Sequence, residues 1–437
     1  MSFPRYERYK DSGVEWLGEV PEHWAVIPLK RLADFINGDA FKPTEWAESG
    51  IPIIRIQNLN GGEEFNFYDG EVEPRYLVHD GDLLFGWSGN RGTSFGPFLW
   101  KRKEVCALNQ HIFRVVPISA SKQVLYWTLK AVTAHVEDQA HGIIGMVHIT
   151  KGDLGAINVP IPPEQEHHQV ATFLGQETAK IDELIEEQRR LIELLKEKRR
   201  AVISHAVTKG LNPKVRMENS GSDWLGLIPH HWKSAVLVRC ASRIVVGIAE
   251  AATHAYADEG VPILRSTNIR AGKIIGDVLR VLPDFAADRE SKLIHSNDLI
   301  TVRTGNAGVT AVVPPEFDGC QCFTMLITSL VDQAVPEFYC YYMNSDVATA
   351  YFGVEGWGTA QVNISVPILK ALPIPIPPKR DQQSIVGYLD MEVGRIDELT
   401  DEAERVVSLL LERRSVLISA AVTGKIDVRS YNPKEAA

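Results

Sequence analysis

The residues that could do chemistry each fall short of a recognised pattern. Residues 86–92, GWSGNRG, have the glycines of a phosphate-cradling loop but lack its lysine and its spacing. Asp401-Glu402-Ala403-Glu404 resembles a helicase acidic box, yet it has no apolar strand before it and lies inside a helical repeat, where a solvated face is expected. Asn212-Pro213-Lys214 and Asn432-Pro433-Lys434 differ from the Asn/Asp-Pro-Pro-aromatic motif of amino methyltransferases and read as helix-ending turns. Cys320-Gln321-Cys322 has no second Cys or His pair nearby, so no zinc or other metal site is expected. His167-His168 and His230-His231 lack HExxH spacing; His168 is expected on a helix surface and His231 in a structural role. No nucleophile–base set emerges, so no catalytic residue and no cofactor is assigned to this chain.

The elements that carry these residues are bounded by length and charge. The chain has 437 residues, with 46 Lys+Arg against 56 Asp+Glu, a formal charge of −10. Averaged over the surface, that balance argues against nucleic acid. No apolar run approaches the ~18 residues of a bilayer span, and residues 1–10 lack a signal-peptide core. Five cysteines, odd and sparse, suggest reduced thiols and a cytoplasmic protein.

The chain repeats itself. Residues 160–163 and 375–378 both read PIPP, an offset of 215. The same offset aligns Ile181-Asp182-Glu183-Leu184 with Ile396-Asp397-Glu398-Leu399, and Ala206-Val207-Thr208 with Ala421-Val422-Thr423. Upstream, DSGVEWLGEVPEHW at 11–24 matches NSGSDWLGLIPHHW at 219–232. GIPIIRIQN at 50–58 matches GVPILRSTN at 260–268, DLLFGWSGNRG at 82–92 matches DLITVRTGNAG at 298–308, and His148-Ile149-Thr150 matches Asn363-Ile364-Ser365. A unit about half the chain long is used twice, far longer than a solenoid repeat.

Each unit ends in a long helix. Residues 164–208 contain no proline and one glycine; prolines precede them, Glu164 and Glu166 fall in the first turn, and Lys209-Gly210 supplies a stop. Apolar positions step by 3.5 residues through Val170, Leu174, Ile181, Leu184, Leu191, Leu195 and Val202, and again through Ile385, Leu389, Ile396, Leu399, Val406, Leu410 and Leu417. Glu177 and Lys198 interrupt the first seam, Glu392 and Arg413 the second. An antiparallel pairing sets Glu177 against Arg413 and Lys198 against Glu392, with positions summing to 590, and brings Leu184 near Val406 and Leu191 near Leu399. A parallel pairing sets like charges together. An antiparallel intramolecular coiled coil is therefore expected; the alternative is two helices packed on different domains.

The expected architecture is a pair of α/β (α+β) globular domains in pseudo-twofold arrangement, separated by the two antiparallel helices. The expected boundaries are 1–160, first domain; 161–209, first helix; 210–375, second domain; 376–424, second helix; and 425–437, tail. Ile53–Ile56, Leu83–Phe85 and Ile112–Val116 read as strands, and Val124–Thr133 and Pro336–Met343 as helices.

The WLG-x-[IV]-P-x-HW motif at Trp16–Trp24 and Trp224–Trp232, a variable domain, PIPP and a long helix, all twice, resemble the specificity subunit of type I restriction–modification enzymes. The family's proline run followed by Glu-Gln is only partly kept, as Glu166-His167 and Asp381-Gln382. The resemblance implies a non-catalytic subunit whose two target recognition domains each read one half of a bipartite, asymmetric site in double-stranded DNA. It implies helices that fix the gap and dock two methyltransferase subunits, with two further restriction/translocase subunits. S-adenosylmethionine, ATP and magnesium would reside on those partners, and no membrane is involved.

If the halves read different sequences, polar residues common to both suit structure or phosphate contact: Arg55 and Arg265, Asn58 and Asn268, Asn90 and Asn306. Residues that differ suit base reading: Trp87 against Arg303 (with its neighbour Thr304), and Gln57 against Thr267. Arg91, Lys101, Arg102 and Lys103, with Arg270 and Lys273, suit phosphate or base contacts; for each residue the competing reading is a solvated side chain. At the level of function, the alternative is a coiled-coil scaffold joining two protein-binding domains without DNA. The acidic charge favours that scaffold, and the matched modules and family motifs oppose it; residues 164–208 hold seven basic against nine acidic residues, and 379–424 six against nine, so half of the excess lies on the helices.

Overall fold

In this computed structural model the described residues are 3–139, 146–249, 255–283, 285, 290–358 and 362–432. The turn expected at Asn432-Pro433-Lys434 lies, beyond Asn432, outside them. The chain divides into two compact units, Met1–Gln188 with Arg405–Ala437, and Arg189–Glu404. Each unit therefore holds one globular part and a segment of both long helices.

In the first unit, short β-branched and aromatic segments build two four-stranded sheets. One runs in the order Gly96–Leu99, Leu83–Gly86, Ile112–Pro117, Ala33–Asn37, all antiparallel. The other runs Asn66–Tyr68, Ile51–Ile54, Cys106–Leu108, Leu77–Val78, with Cys106–Leu108 parallel to Ile51–Ile54. The expected strand at Ile53–Ile56 thus starts earlier and ends at Ile54, because Arg55 opens a helical turn. The helix Lys122–Gln139 buries Leu125, Leu129 and Val132 against Phe35, Leu83 and Phe85. A basal pair, Ala25–Pro28 with Asn158–Ile161, leads into the long helix.

The second unit repeats the design. Ala241–Val246, Leu326–Leu330, Leu299–Thr301 and Thr310–Val312 form one sheet; Tyr256–Ala257, Leu279–Val281, Val261–Leu264 and Gln321–Cys322 form the other, again with one parallel pair. Helices Pro336–Met343 and Asp346–Glu355 cover it, and Lys233–Val236 pairs with Pro373–Ile376.

The long helices span Glu164–Lys209 and Lys379–Val422. Their register differs from the heptad expectation. The ion pairs that join them are Asp182–Arg414 (2.8 Å) in the first unit and Arg199–Asp397 (2.8 Å) in the second, so paired positions sum to 596, not 590. Leu184, Leu191 and Leu399, assigned to the seam, are 45, 42 and 49% exposed, while Ile185 and Ile192 are buried. Lys198 and Arg413 are exposed too, and Val202, Glu392 and Val406 only half-buried. Glu177 accepts from Tyr431 (3.0 Å) and pairs with Lys180 rather than Arg413. The remaining seam residues Val170, Leu174, Ile181, Leu195, Ile385, Leu389, Ile396 and Leu417 are buried and Leu410 half-buried. The physical reason is the period. A straight helix has ~3.6 residues per turn and drifts ~20° per heptad from a 3.5 repeat, so over five heptads the buried stripe steps by one residue.

The repeated Trp motif latches each helix start. Trp24 is fully buried; its indole N–H donates to Glu166 Oε2 (3.1 Å), His23 Nε2 lies 2.7 Å from Oε1, and Tyr6 donates to Oε2 (3.1 Å). In the second unit Trp232 Nε1 (3.1 Å) and His231 Nε2 (2.9 Å) meet Asp381 Oδ2. The departure from the family's helix-start motif thus sits beside a pair of acids that do the same task.

Candidate nucleic-acid interface

Local backbone chemistry sets the first unit's candidates apart. The Arg55 N–H donates to Asn58 Oδ1 (2.9 Å), and Asn58 Nδ2 donates to the Gly62 and Glu64 carbonyls (3.0 and 2.8 Å). Asn268 does the same with Arg265, Ile275 and Asp277. Both asparagines are buried with their amides spent on backbone, so they shape the loop and are withdrawn as DNA contacts. The loop in turn presents Arg55 and Gln57. Arg55 donates to Asn66 Oδ1 (2.9 Å) and lies 5.0 Å over the Trp46 ring, a rigid cation–aromatic arrangement.

Arg55, Gln57 and Asn90 converge on a cleft of about 510 Å³ that Trp46, Gln110 and His111 also line. Gln110 and His111 escaped the sequence reading; their position immediately before the strand at Ile112 was the available signal. Trp87 stands beside this group, its N–H donating to Asn37 Oδ1 (2.9 Å) and its ring stacked 5.6 Å from Phe113. The indole donor is thereby committed, leaving Trp87 as a packing surface. Arg91 is exposed and pairs with Asp138 (3.3 Å). Lys101 and Arg102 go elsewhere, to a cleft lined by Gly175, Asp182 and Arg414 of the long helices; Lys103 is exposed.

In the second unit Arg303 Nε donates to Asn363 Oδ1 (3.1 Å), and the Ile364 N–H donates to the Arg303 carbonyl (3.0 Å). Thr304 bridges to Asn363, as does Trp357, which is 58% exposed. An unshielded indole therefore stands beside an arginine and an exposed threonine, an arrangement that can stack on bases and donate to their edges. Asn306 and Thr267 are exposed. Arg265 Nε is buried with no hydrogen-bond partner among the described residues. Arg270 is exposed and turned onto the Thr267 and Ile269 carbonyls, and Lys273 lines a helix-side cleft with Arg199 and Asp397.

Metal and thiol chemistry find no such convergence. Among the described residues no three His, Cys, Asp or Glu side chains are grouped to hold a metal. All five cysteines are unpaired and buried, and burial pushes the Cys106 thiol up to about 11 and Cys322 to about 12. Among the described residues no helix is long and apolar enough to cross a membrane.

Comparison with known proteins follows the same duplication. The sequence model described as the type I restriction modification DNA specificity domain matches residues 21–194 and again 250–404. The type I restriction enzyme EcoBI specificity subunit of Escherichia coli is 21% identical over 97% of this chain and 91% of its own length. The MjaVIII specificity subunit of Methanocaldococcus jannaschii is 26% identical over 99% of each. A chain from a structure of the type I R-M system, described for complex assembly and conformational transition, superposes with a TM-score of 0.68 at 14% identity, covering 92% of this chain and 98% of that one, which is a likeness of fold. Matched twice and across most of its length, this chain belongs to the family of the type I restriction modification DNA specificity domain.

Proposed function

We propose that the chain is the sequence-specificity subunit of a type I restriction–modification enzyme and is not itself catalytic. One observation carries this reading: two equivalent units in one chain, each presenting a polar, aromatic-lined face built on the same pair of sheets. A domain at 1–160 reads one half-site and a domain at 210–375 the other. The helices at 161–209 and 376–424 set the gap and dock two methyltransferase subunits. Each added heptad would lengthen such a spacer by about 10 Å, roughly three base pairs. S-adenosylmethionine, ATP and magnesium belong to the methyltransferase and restriction subunits, and the assembly works in the cytoplasm on duplex DNA.

Base reading falls to Gln57, Arg303, Thr304 and Thr267, with Arg55, Asn90, Asn306, Arg265, Arg270, Arg91 and Lys103 nearer the backbone. The test is methylome sequencing of cells expressing the chain with its methyltransferase, with and without Arg303→Ala. The variant should relax or lose the second half-site at about 1–3 kcal/mol of discrimination and leave the first intact. Unchanged half-sites at unchanged affinity would remove Arg303 from the reading set. No DNA binding in the presence of the methyltransferase would favour the scaffold.

A further inference from the structure

Each globular part meets the long helices at a cleft, and the two clefts are equivalent by position. Tyr126, Asp182 and Arg199 stand 215 residues before Tyr341, Asp397 and Arg414. Arg414 and Asp182 pair across the first cleft, Arg199 and Asp397 across the second. Their charge differs in sign. The second, about 300 Å³, holds Arg199 and Lys273 against Glu337, Asp390 and Asp397. The first, about 710 Å³, holds Lys101, Arg102, Lys130 and Arg414 against Glu63 and Asp182.

Lys130 is the telling residue. Its Nζ sits 5.6 Å from the Phe98 ring centre and 5.5 Å from that of Tyr126, and among the described residues no carboxylate forms an ion pair with it. Arg102 lies 4.3 Å over Phe65 in the same way. Trp100 is buried in the wall, its indole turned to the buried Cys106 thiol. Burial and the neighbouring Arg414 charge push the Lys130 ammonium down to about 8. Cations held on ring faces keep their polar hydrogens for something else, and here four cations face two carboxylates, of which Asp182 is spent on Arg414, leaving an unfilled demand for an anion.

We propose that the first-unit cleft binds a phosphate ester, with Lys130 and Arg102 as its direct contacts. The proposal rests on the specificity-subunit reading only for its choice of phosphate chemistry. The ester would come either from the DNA backbone or from a free nucleotide, and the two sources separate by experiment. The second cleft, with Ser345 at the position of Lys130 and Asp390 at that of Gly175, should bind neither.

The full chain is titrated calorimetrically with AMP and with inorganic pyrophosphate, and by fluorescence anisotropy with a duplex of unrelated sequence over a salt series. Wild type is compared with Lys130→Met and Arg102→Gln. Saturable AMP or pyrophosphate binding, weakened at least tenfold by Lys130→Met, establishes a free-nucleotide site. No small-anion binding, with each variant losing affinity for the duplex several-fold and lowering the log–log salt slope by about 0.9, establishes a backbone contact. Folded variants that match wild type in every titration overturn the proposal. Site-directed methylation by the wild-type complex, measured on the same material, fails only if the specificity reading itself is wrong.

Discussion

The Trp latch occurs twice but is closed in two ways. In the second unit the helix ends at Lys209, turns through Gly210 (φ +73) and runs on as one chain into the motif that ends at Trp232; Lys209 Nζ donates to the Leu225 and Leu227 carbonyls. In the first unit the motif comes from the start of the chain and the helix end from its finish. Gly424 (φ +71) sits on Pro21 and Trp24, where any Cβ would collide with Pro21, and Lys425 Nζ donates to the Glu19 carbonyl (2.6 Å). Extra groups replace the missing peptide link. Asp427 N–H donates to the Pro4 carbonyl (2.8 Å), Tyr9 to the Gly424 carbonyl (3.0 Å), Arg429 lies 4.8 Å over Tyr6, and Phe173 takes Phe3 and Tyr431 edge-on. Connectivity and packing are thus interchangeable at this joint.

That comparison can be broken at several strengths. Removing residues 424–437 should open the first unit and leave the second folded, seen as an early, separate melting transition and as selective proteolysis of residues 3–24. Trp24→Ala should cost about 3–5 kcal/mol in the first unit and Trp232→Ala about as much in the second; equal loss of both units from either variant would mean that they melt as one. Glu166→Gln removes a buried carboxylate with three partners and should cost about 2–3 kcal/mol, whereas Asp381→Asn, more exposed and with two, should cost about 1 kcal/mol. For the register, Asp182→Arg and Arg414→Asp should each lower the melting temperature, and the double swap should recover part of the loss, up to about 1 kcal/mol. The same exchange at Glu177 and Arg413 should recover nothing.

The smallest effect is a pH effect at Lys130. Its folded pKa, about 8, lies below the ordinary lysine value of 10.5, so folding disfavours the ammonium. The destabilisation is full below about pH 8 and fades as pH rises to 10.5. Lys130→Met should therefore raise the melting temperature at pH 7 and lose that advantage near pH 10.5.

What the residues disclosed follows the range of the forces. Duplication, both long helices and their antiparallel sense were legible because period, caps and charge are local signals. Strand order was not, since Cys106–Leu108 finds Ile51–Ile54 across fifty residues that carry no pairing code. The seam phase failed on a tenth of a residue per turn, although Asp182 and Arg199, each repeated at offset 215, marked a self-complementary pair. Glu166 was visible as a first-turn acid and, with Asp381, as part of a partly kept helix-start motif, but neither position pointed to a Trp partner. Among the interface candidates, residue type indicated Arg55 and Arg303 well enough. It could not separate Asn58 and Asn268, whose spacing from an arginine marks a loop cap, from side chains that face outward.

The burial of every thiol has a practical side. Cys106, Cys240, Cys320, Cys322 and Cys340 all lie out of solvent, and the desolvation that raises their pKa starves them of thiolate. A single cysteine introduced on the surface, at Thr304 or Gln57, would then be the one fast-reacting nucleophile toward maleimides in the native chain. A fluorophore could be placed at either recognition face without first stripping the protein of its own sulfur.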